Sequence, residues 1–270
     1  MSDKAVNSGS PCAVPGHFGE WLQGRFGPNG PLALITIPCS LLQARVVARG
    51  AGDKLAFSSE QLDAFCAGLG LATTDVPALA RDMPLGAGAG ASTATLVALA
   101  RSLGFSGPAQ TLAHACLQIE GATDPLMFDH PDRLLWASRR ALVLRHMPPP
   151  PACEIIGGYW GPASPTLPED EDFPDISDLI QAWPAAARSG QPAQTADLAT
   201  SSANRTTAHR GPGDAMPDLA RDLGALGHIR AHTGSARGLI FPPDAIPSAA
   251  RAALREAGLH GVFQFRTETA

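Results

Sequence analysis

The stretch Pro84-Leu85-Gly86-Ala87-Gly88-Ala89-Gly90-Ala91-Ser92-Thr93-Ala94 sets three alternating glycines directly before an amphipathic run, 92–103, that reads as a helix. A helix amino terminus leaves unpaired N–H groups and the positive end of the peptide dipole, and glycines let a backbone close on an anion. The segment therefore suits a nucleotide phosphate, with Pro84, Gly86, Gly88, Gly90, Ser92 and Thr93 as candidate contacts. A flexible turn with Ser92 or Thr93 as a helix-capping hydroxyl is the plainer alternative. No lysine follows the last glycine, which excludes a Walker A loop. Gly86, Gly88 and Ala91 satisfy the relaxed dinucleotide fingerprint, but Pro77 and Pro84 make 76–83 a poor first strand, and no acidic residue ends a second strand about 20 residues on. An NAD-dependent oxidoreductase is the distant alternative.

Outward from this loop, 31–38 and 41–48 read as two strands parted at Cys39 and Ser40, an opening hairpin or meander. Residues 60–69 read as a short helix capped by Ser58 or Ser59, and 108–119 as a helix with Pro108 in its first turn and Gly121 as its stop. Residues 141–144 and 154–160 read as strands on either side of the proline run 148–151, which places a lobe boundary there and gives lobes of 1–147 and 148–270. The acidic, proline-containing 163–174 reads as an exposed loop. Helices over 175–189, 194–206, 216–226 and 247–257, alternating with strands over 229–232, 238–241 and 261–265, complete an α+β pattern.

Composition narrows the function. The 270 residues carry a net charge of −5, with 44% apolar and 17% charged residues. That excludes a nucleic-acid footprint and favours a small-molecule ligand. No apolar run approaches the roughly 18 residues of a membrane helix, and residues 1–10 lack the pattern of a signal peptide, so a cytoplasmic protein is expected. The cysteines Cys12, Cys39, Cys66, Cys116 and Cys153 are widely spaced, without a C-x-x-C pair, and read as reduced thiols. A homodimer is left open.

Two further segments agree in order with the glycine loop: Val14-Pro15-Gly16-His17-Phe18-Gly19-Glu20-Trp21-Leu22-Gln23-Gly24, and Ala231-His232-Thr233-Gly234-Ser235-Ala236-Arg237-Gly238-Leu239-Ile240-Phe241. Together the three resemble the motifs of the GHMP kinases (galactokinase, homoserine kinase, mevalonate kinase and relatives). Gly19-Glu20 with Leu22-Gln23-Gly24, Ile119-Glu120 with Thr123-Asp124 and Phe128-Asp129-His130, and the Ala-His-Thr-Gly-Ser segment are similar to the L-threonine kinases of cobalamin assembly. The resemblance implies an amino-terminal lobe like ribosomal protein S5 domain 2 and a ferredoxin-like carboxy-terminal lobe, with ATP between them. It also implies transfer of the ATP γ-phosphate to free L-threonine, giving O-phospho-L-threonine for the aminopropanol arm of cobalamin.

Phosphoryl transfer asks a protein to position the acceptor and neutralise charge. On the resemblance, Glu120 with Ser92 is the candidate Mg2+ site, Asp124 the base or orienting group at the acceptor hydroxyl, and Glu20 a second carboxylate in the cleft. Asp129, His232, Thr233, Gly234 and Ser235 are candidate substrate contacts. An ion pair for Glu120, a turn before Pro125 for Asp124 and a β-turn at 232–235 are the competing explanations. L-Serine is a close variant of the acceptor, since one methyl discriminates by only about 1–3 kcal/mol. A non-catalytic nucleotide binder is the other class. Two positions depart from the family pattern: Ala91 stands where many members carry a first serine, and His17 where several carry Lys or Arg. A fixed cation is therefore expected to be missing at His17, with Asn204, Arg205 and Arg210 as candidate replacements from the second lobe.

Overall fold

A computed structural model describes residues 12–73, 76–163 and 167–267. The signal-peptide reading of 1–10 lies outside the described residues. One nine-stranded antiparallel sheet runs in the order β5-β4-β2-β1-β7-β8-β6-β9, with β3 beside the far end of β2. Its strands are β1 (Ala13–Arg25), β2 (Leu32–Val47), β3 (Ala78–Arg81), β4 (Leu134–Ala137), β5 (Leu142–His146), β6 (Glu154–Tyr159), β7 (Gly227–Arg230), β8 (Ala236–Phe241) and β9 (His260–Arg266). The helices are α1 (Ser59–Gly68), α2 (Ala91–Ser102), α3 (Ala109–Glu120), α4 (Ser177–Arg188), α5 (Pro192–Arg210), α6 (Met216–Asp222) and α7 (Ala250–Glu256). The α+β class is as expected.

The opening differs from the sequence reading. The hairpin consists of β1 and β2, and 32–47 is one long strand rather than two. Pro38 pairs with His17 beside a register shift, where a missing N–H interrupts no regular ladder. The first motif is itself strand β1, and Gly19 at φ +70 sits within a bulge between His17 and Glu20. In a regular strand residues three apart face opposite sides; the extra residue turns both side chains into one cavity. Residues 78–81, read as a poor strand, form the short β3, with Pro77 and Pro84 outside it. It pairs antiparallel with β2 and starts no parallel dinucleotide fold. Pro108 is the cap of α3 rather than a first-turn residue, and Gly121 at φ +70 ends that helix as predicted.

β1 and β7 meet at a single bridge, Glu20 to Arg230. The main apolar core nevertheless draws on both halves of the chain, from Leu34 and Leu96 to Ile155, Ile180 and Phe265. Phe18 packs edge-on against Tyr159, Phe263 and Phe265, so β1 is seated on the second half through its aromatic contacts. A smaller core lies among Ile156, Leu239, Phe241 and Leu254. The segment 167–175 is largely exposed, as read, with Phe173 buried within it and Glu171, Asp170 and Asp172 paired with Arg25, Arg210 and His209.

Candidate active site

The glycine loop is the meeting point of the three motifs. Gly86, Gly88 and Gly90 all have positive φ (72°, 74° and 68°), the left-handed region that glycine enters without steric cost. A Cβ on Gly88 would collide with Ala231, and one on Gly90 with the His17 ring and Leu126. The carbonyls of the loop are committed inward: Ala87 O accepts from Ala236 N–H at 2.9 Å, Gly88 O from Gly19 N–H at 3.4 Å and Ala89 O from His17 N–H at 3.1 Å. Helix α2 starts at the Gly90 cap with no side chain capping it. Its first-turn amides are a ready anion site.

Beside the loop lies a cavity of about 360 Å³, lined by His17, Glu20, Glu120, Asp124, Arg139 and His232. The turn after α3 is tightly held: Thr123 N–H donates to Ser138 O at 3.0 Å and Trp136 Nε1–H to Thr123 O at 2.7 Å. Thr93 joins this turn to α2, its hydroxyl donating to Glu120 Oε2 at 2.9 Å and accepting from Asp124 N–H at 3.2 Å. Among the described residues no three His, Cys, Asp or Glu gather as a metal cage. A magnesium ion that binds through one or two carboxylates and phosphate oxygens needs none. Glu120, with the hydroxyls of Ser92 and Thr93 beside it, fits such an ion. Burial pushes its carboxyl up to about 8 despite hydrogen bonds from Ser92, Thr93 and Thr123, so a cation there would relieve the cost of its charge.

His17 stands between two carboxylates. Its Nε2 lies 3.3 Å from Asp124 Oδ2 and its Nδ1 3.7 Å from Glu20 Oε1. Burial opposes a charged ring, but Asp124 and Glu20 prevail and raise it to about 9. The two carboxylates favour a protonated ring at neutral pH, by environment rather than by residue type. Burial would raise Asp124 too; the His17 charge overrides it and keeps the carboxyl below the ordinary aspartate range. Glu20 is pushed up to about 7 by burial, with His17 pulling the other way. Its Oε2 accepts from the His232 backbone N–H at 2.7 Å, a latch between the first and third motifs.

His232 stacks on Phe173 (3.9 Å, 21°), and the Arg210 guanidinium lies 4.2 Å from the Phe173 ring centre. Burial, reinforced by Arg139 and Arg210, holds the imidazole down to about 3, hence neutral. Neither ring nitrogen has a hydrogen-bond partner among the described residues.

Of the residues expected from sequence, Gly86, Gly88, Gly90, Ser92, Thr93, Glu20, Glu120, Asp124, His232 and Thr233 are brought together around this cavity. Pro84 opens the loop outside the lining. Gly234 lies behind it, its backbone against Ala87 and Gly88, and buried Ser235 accepts from Trp160 N–H through its carbonyl. Asp129 stands apart, lining a second cavity of about 320 Å³ with His130 and Arg133. Asn204 is exposed and Arg205 pairs with Asp178. Arg139, in the turn between β4 and β5, was missed; a lone arginine in a turn carries no motif.

No family model matches the sequence, and no curated protein is significantly similar to it. The sheet and its helices have the α+β fold of the GHMP kinases. The L. major mevalonate kinase solved with R-mevalonate superposes at a TM-score of 0.61 with 12% identity, covering 100% of this chain and 99% of that one. A phosphotransferase related to the CoA biosynthesis pathway gives 0.58 and 14%, over 96% and 95% of the two chains. The homoserine kinase of Cytophaga hutchinsonii gives 0.51 and 16%, over 100% and 97%. At these identities the likeness is one of fold.

Proposed function

We propose that the protein is an ATP-dependent kinase that phosphorylates the side-chain hydroxyl of free L-threonine, giving O-phospho-L-threonine for the aminopropanol arm of cobalamin. The observation that carries the kinase reading is the convergence of Thr93, Glu120 and Asp124 at the uncapped amino end of α2. The fold shared with mevalonate and homoserine kinases supports a small hydroxyl acceptor. The threonine assignment rests on the motif combination around Glu20, Glu120, Asp124 and His232.

In this reading the α2 amides and loop glycines hold the ATP phosphates, and Glu120 with Ser92 and Thr93 holds Mg2+, which when bound neutralises charge on the phosphate oxygens. Asp124, ionised by the His17 charge and 24% exposed towards the cavity, accepts a hydrogen bond from the threonine hydroxyl and aligns it with the γ-phosphorus. As the new P–O bond forms and the bond to ADP breaks, the hydroxyl proton passes to Asp124 or to water. The lowered pKa makes Asp124 chiefly an orienting group, which a loose transition state tolerates. Glu20 positions His17 and the His232 backbone. The site is expected to work in the cytoplasm on a free amino acid.

The test is ADP release from purified protein with MgATP and L-threonine, L-serine, L-homoserine or galactose, with phosphorus NMR of the product. Threonine-dependent turnover to a phosphomonoester is the expected outcome. A preference for serine would move the acceptor assignment, and MgATP binding without turnover on any hydroxyl would leave a non-catalytic nucleotide binder.

A further inference from the structure

The segment Phe128-Asp129-His130 lies away from the first cavity, on the second one of about 320 Å³, a size at the small end of ligand pockets. Helix α2 runs from one to the other: residues 91–93 line the first and Arg101 the second, about 15 Å apart along the helix axis. Trp21, Leu126 and Phe128 give the second cavity an apolar wall. Trp21 and Leu126 are buried, and Phe128 packs edge-on against Trp136 at 5.5 Å, so the core behind it sets the shape of this wall.

Arg101, Arg133 and Arg266 share the rest of the lining with Asp129 and Asp132. A lining of mixed sign makes no field suited to a polyanion. Arg101 donates to Met127 O at 3.1 Å, and Arg266 lies 3.7 Å from Asp244. Arg133 and Asp129 are uncommitted. Among the described residues no acceptor meets the Arg133 guanidinium and no donor meets the Asp129 carboxylate. Burial closes off Nε of Arg133, so its two terminal nitrogens are the donors it has left. Its backbone is held on both sides, the N–H donating to His130 O at 3.1 Å and the carbonyl accepting from Met147 N–H at 2.8 Å. Arg133 and Asp129 stand four residues apart on one cavity and do not pair with each other. A cation and an anion left unpaired beside an apolar wall match a small molecule that carries both charges and an apolar group.

We infer that the second cavity binds a free α-amino acid with an apolar side chain. Its carboxylate meets Arg133, its ammonium meets Asp129, and its side chain lies against Trp21, Leu126 and Phe128. This site is apart from the one assigned to phosphoryl transfer and does not depend on the kinase reading. It sets the ligand against a side chain that also supports the glycine loop, since a Cβ on Gly90 would lie 2.7 Å from Leu126 Cδ1.

The test is a ligand-detected NMR titration of the purified protein with L-leucine, with isocaproate, which lacks the ammonium, with isoamylamine, which lacks the carboxylate, and with glycine, which lacks the side chain. The wild type is expected to bind leucine at least about 10-fold more tightly than any of the other three. Arg133→Gln and Asp129→Asn should each weaken leucine by roughly 10- to 100-fold, the loss of a charged hydrogen bond. Arg133→Gln should leave isoamylamine unchanged and Asp129→Asn should leave isocaproate unchanged, a pattern that a general loss of shape would not give. The assignment is overturned if leucine does not bind the wild type, if isocaproate, isoamylamine or glycine matches it, if both variants bind it as the wild type does, or if a variant loses leucine and its spared analogue alike. The comparison of ligands needs the wild type alone, so it decides the matter even where a variant does not fold. None of these readouts uses ADP release, so the kinase reading stands or falls separately.

Discussion

At the scale of single residues, the site turns on the contact between His17 and Asp124. Asp124→Ala should cut turnover by about 10²-fold or more, the scale of effect when an acceptor loses its alignment, while nucleotide binding followed with a fluorescent ATP analogue survives. Loss of nucleotide binding would make Asp124 a structural residue. His17 gives a pH signature. Its folded value of about 9 lies above the ordinary 6.5, so the folded state holds a proton that the unfolded state releases between those limits. Its stabilising contribution is complete below about pH 6.5 and disappears as pH rises through about 9. Urea midpoints measured from pH 7 to 9.5 should therefore fall with pH in the wild type and fall less in His17→Gln. Equal slopes would show that the ring is uncharged in the native protein. None of this could be seen from the isolated letter His17, whose charge depends on two carboxylates, one of them more than a hundred residues away.

At the scale of elements, the loop before α2 was legible as a turn into a helix, because its three alternating glycines each take a left-handed backbone. Strand β1 was not. Its run of Pro15, Gly16, His17, Gly19, Glu20, Gln23 and Gly24 dilutes the alternation that identifies a strand, although those same residues make the bulge and the contacts of the site. β2 was cut in two at Cys39 and Ser40 because proline and polar residues resemble a turn when the partner strand is unknown. The carboxylates of α3 and its following turn were found through a family pattern, whereas Arg139 and Phe173 act through a fold that no local spacing encodes. The loop supports a prediction of its own. Gly88→Ala meets both a left-handed backbone and Ala231, and should cost more than the about 1–2 kcal/mol of left-handed strain alone. Gly50→Ala, at φ +88 with open space around it, should cost only the strain. Urea unfolding of the two variants measures the difference, and ATP affinity should fall in the first alone.

At the scale of the whole molecule, one sheet and one main core join the two halves. The chain should therefore unfold in a single transition, with near- and far-ultraviolet circular dichroism changing together; two separated transitions would mean that the halves at 1–147 and 148–270 are independently stable lobes. A ligand held by all three motifs stabilises the whole of that unit. MgATP at 100 times its Kd adds about 2.7 kcal/mol, which for a chain of this size is a rise of about 5–10 °C in Tm. A smaller rise at saturation would point to nucleotide binding by the partly unfolded chain. The docking of the loop has one more consequence, in the order of biosynthesis. Gly234 and Ala236 complete the rear wall of a loop that begins at Pro84, so roughly 150 residues must follow the loop out of the ribosome before its shape is settled. A nascent chain stalled before that point carries every glycine of the loop and still lacks the contacts that fix its shape.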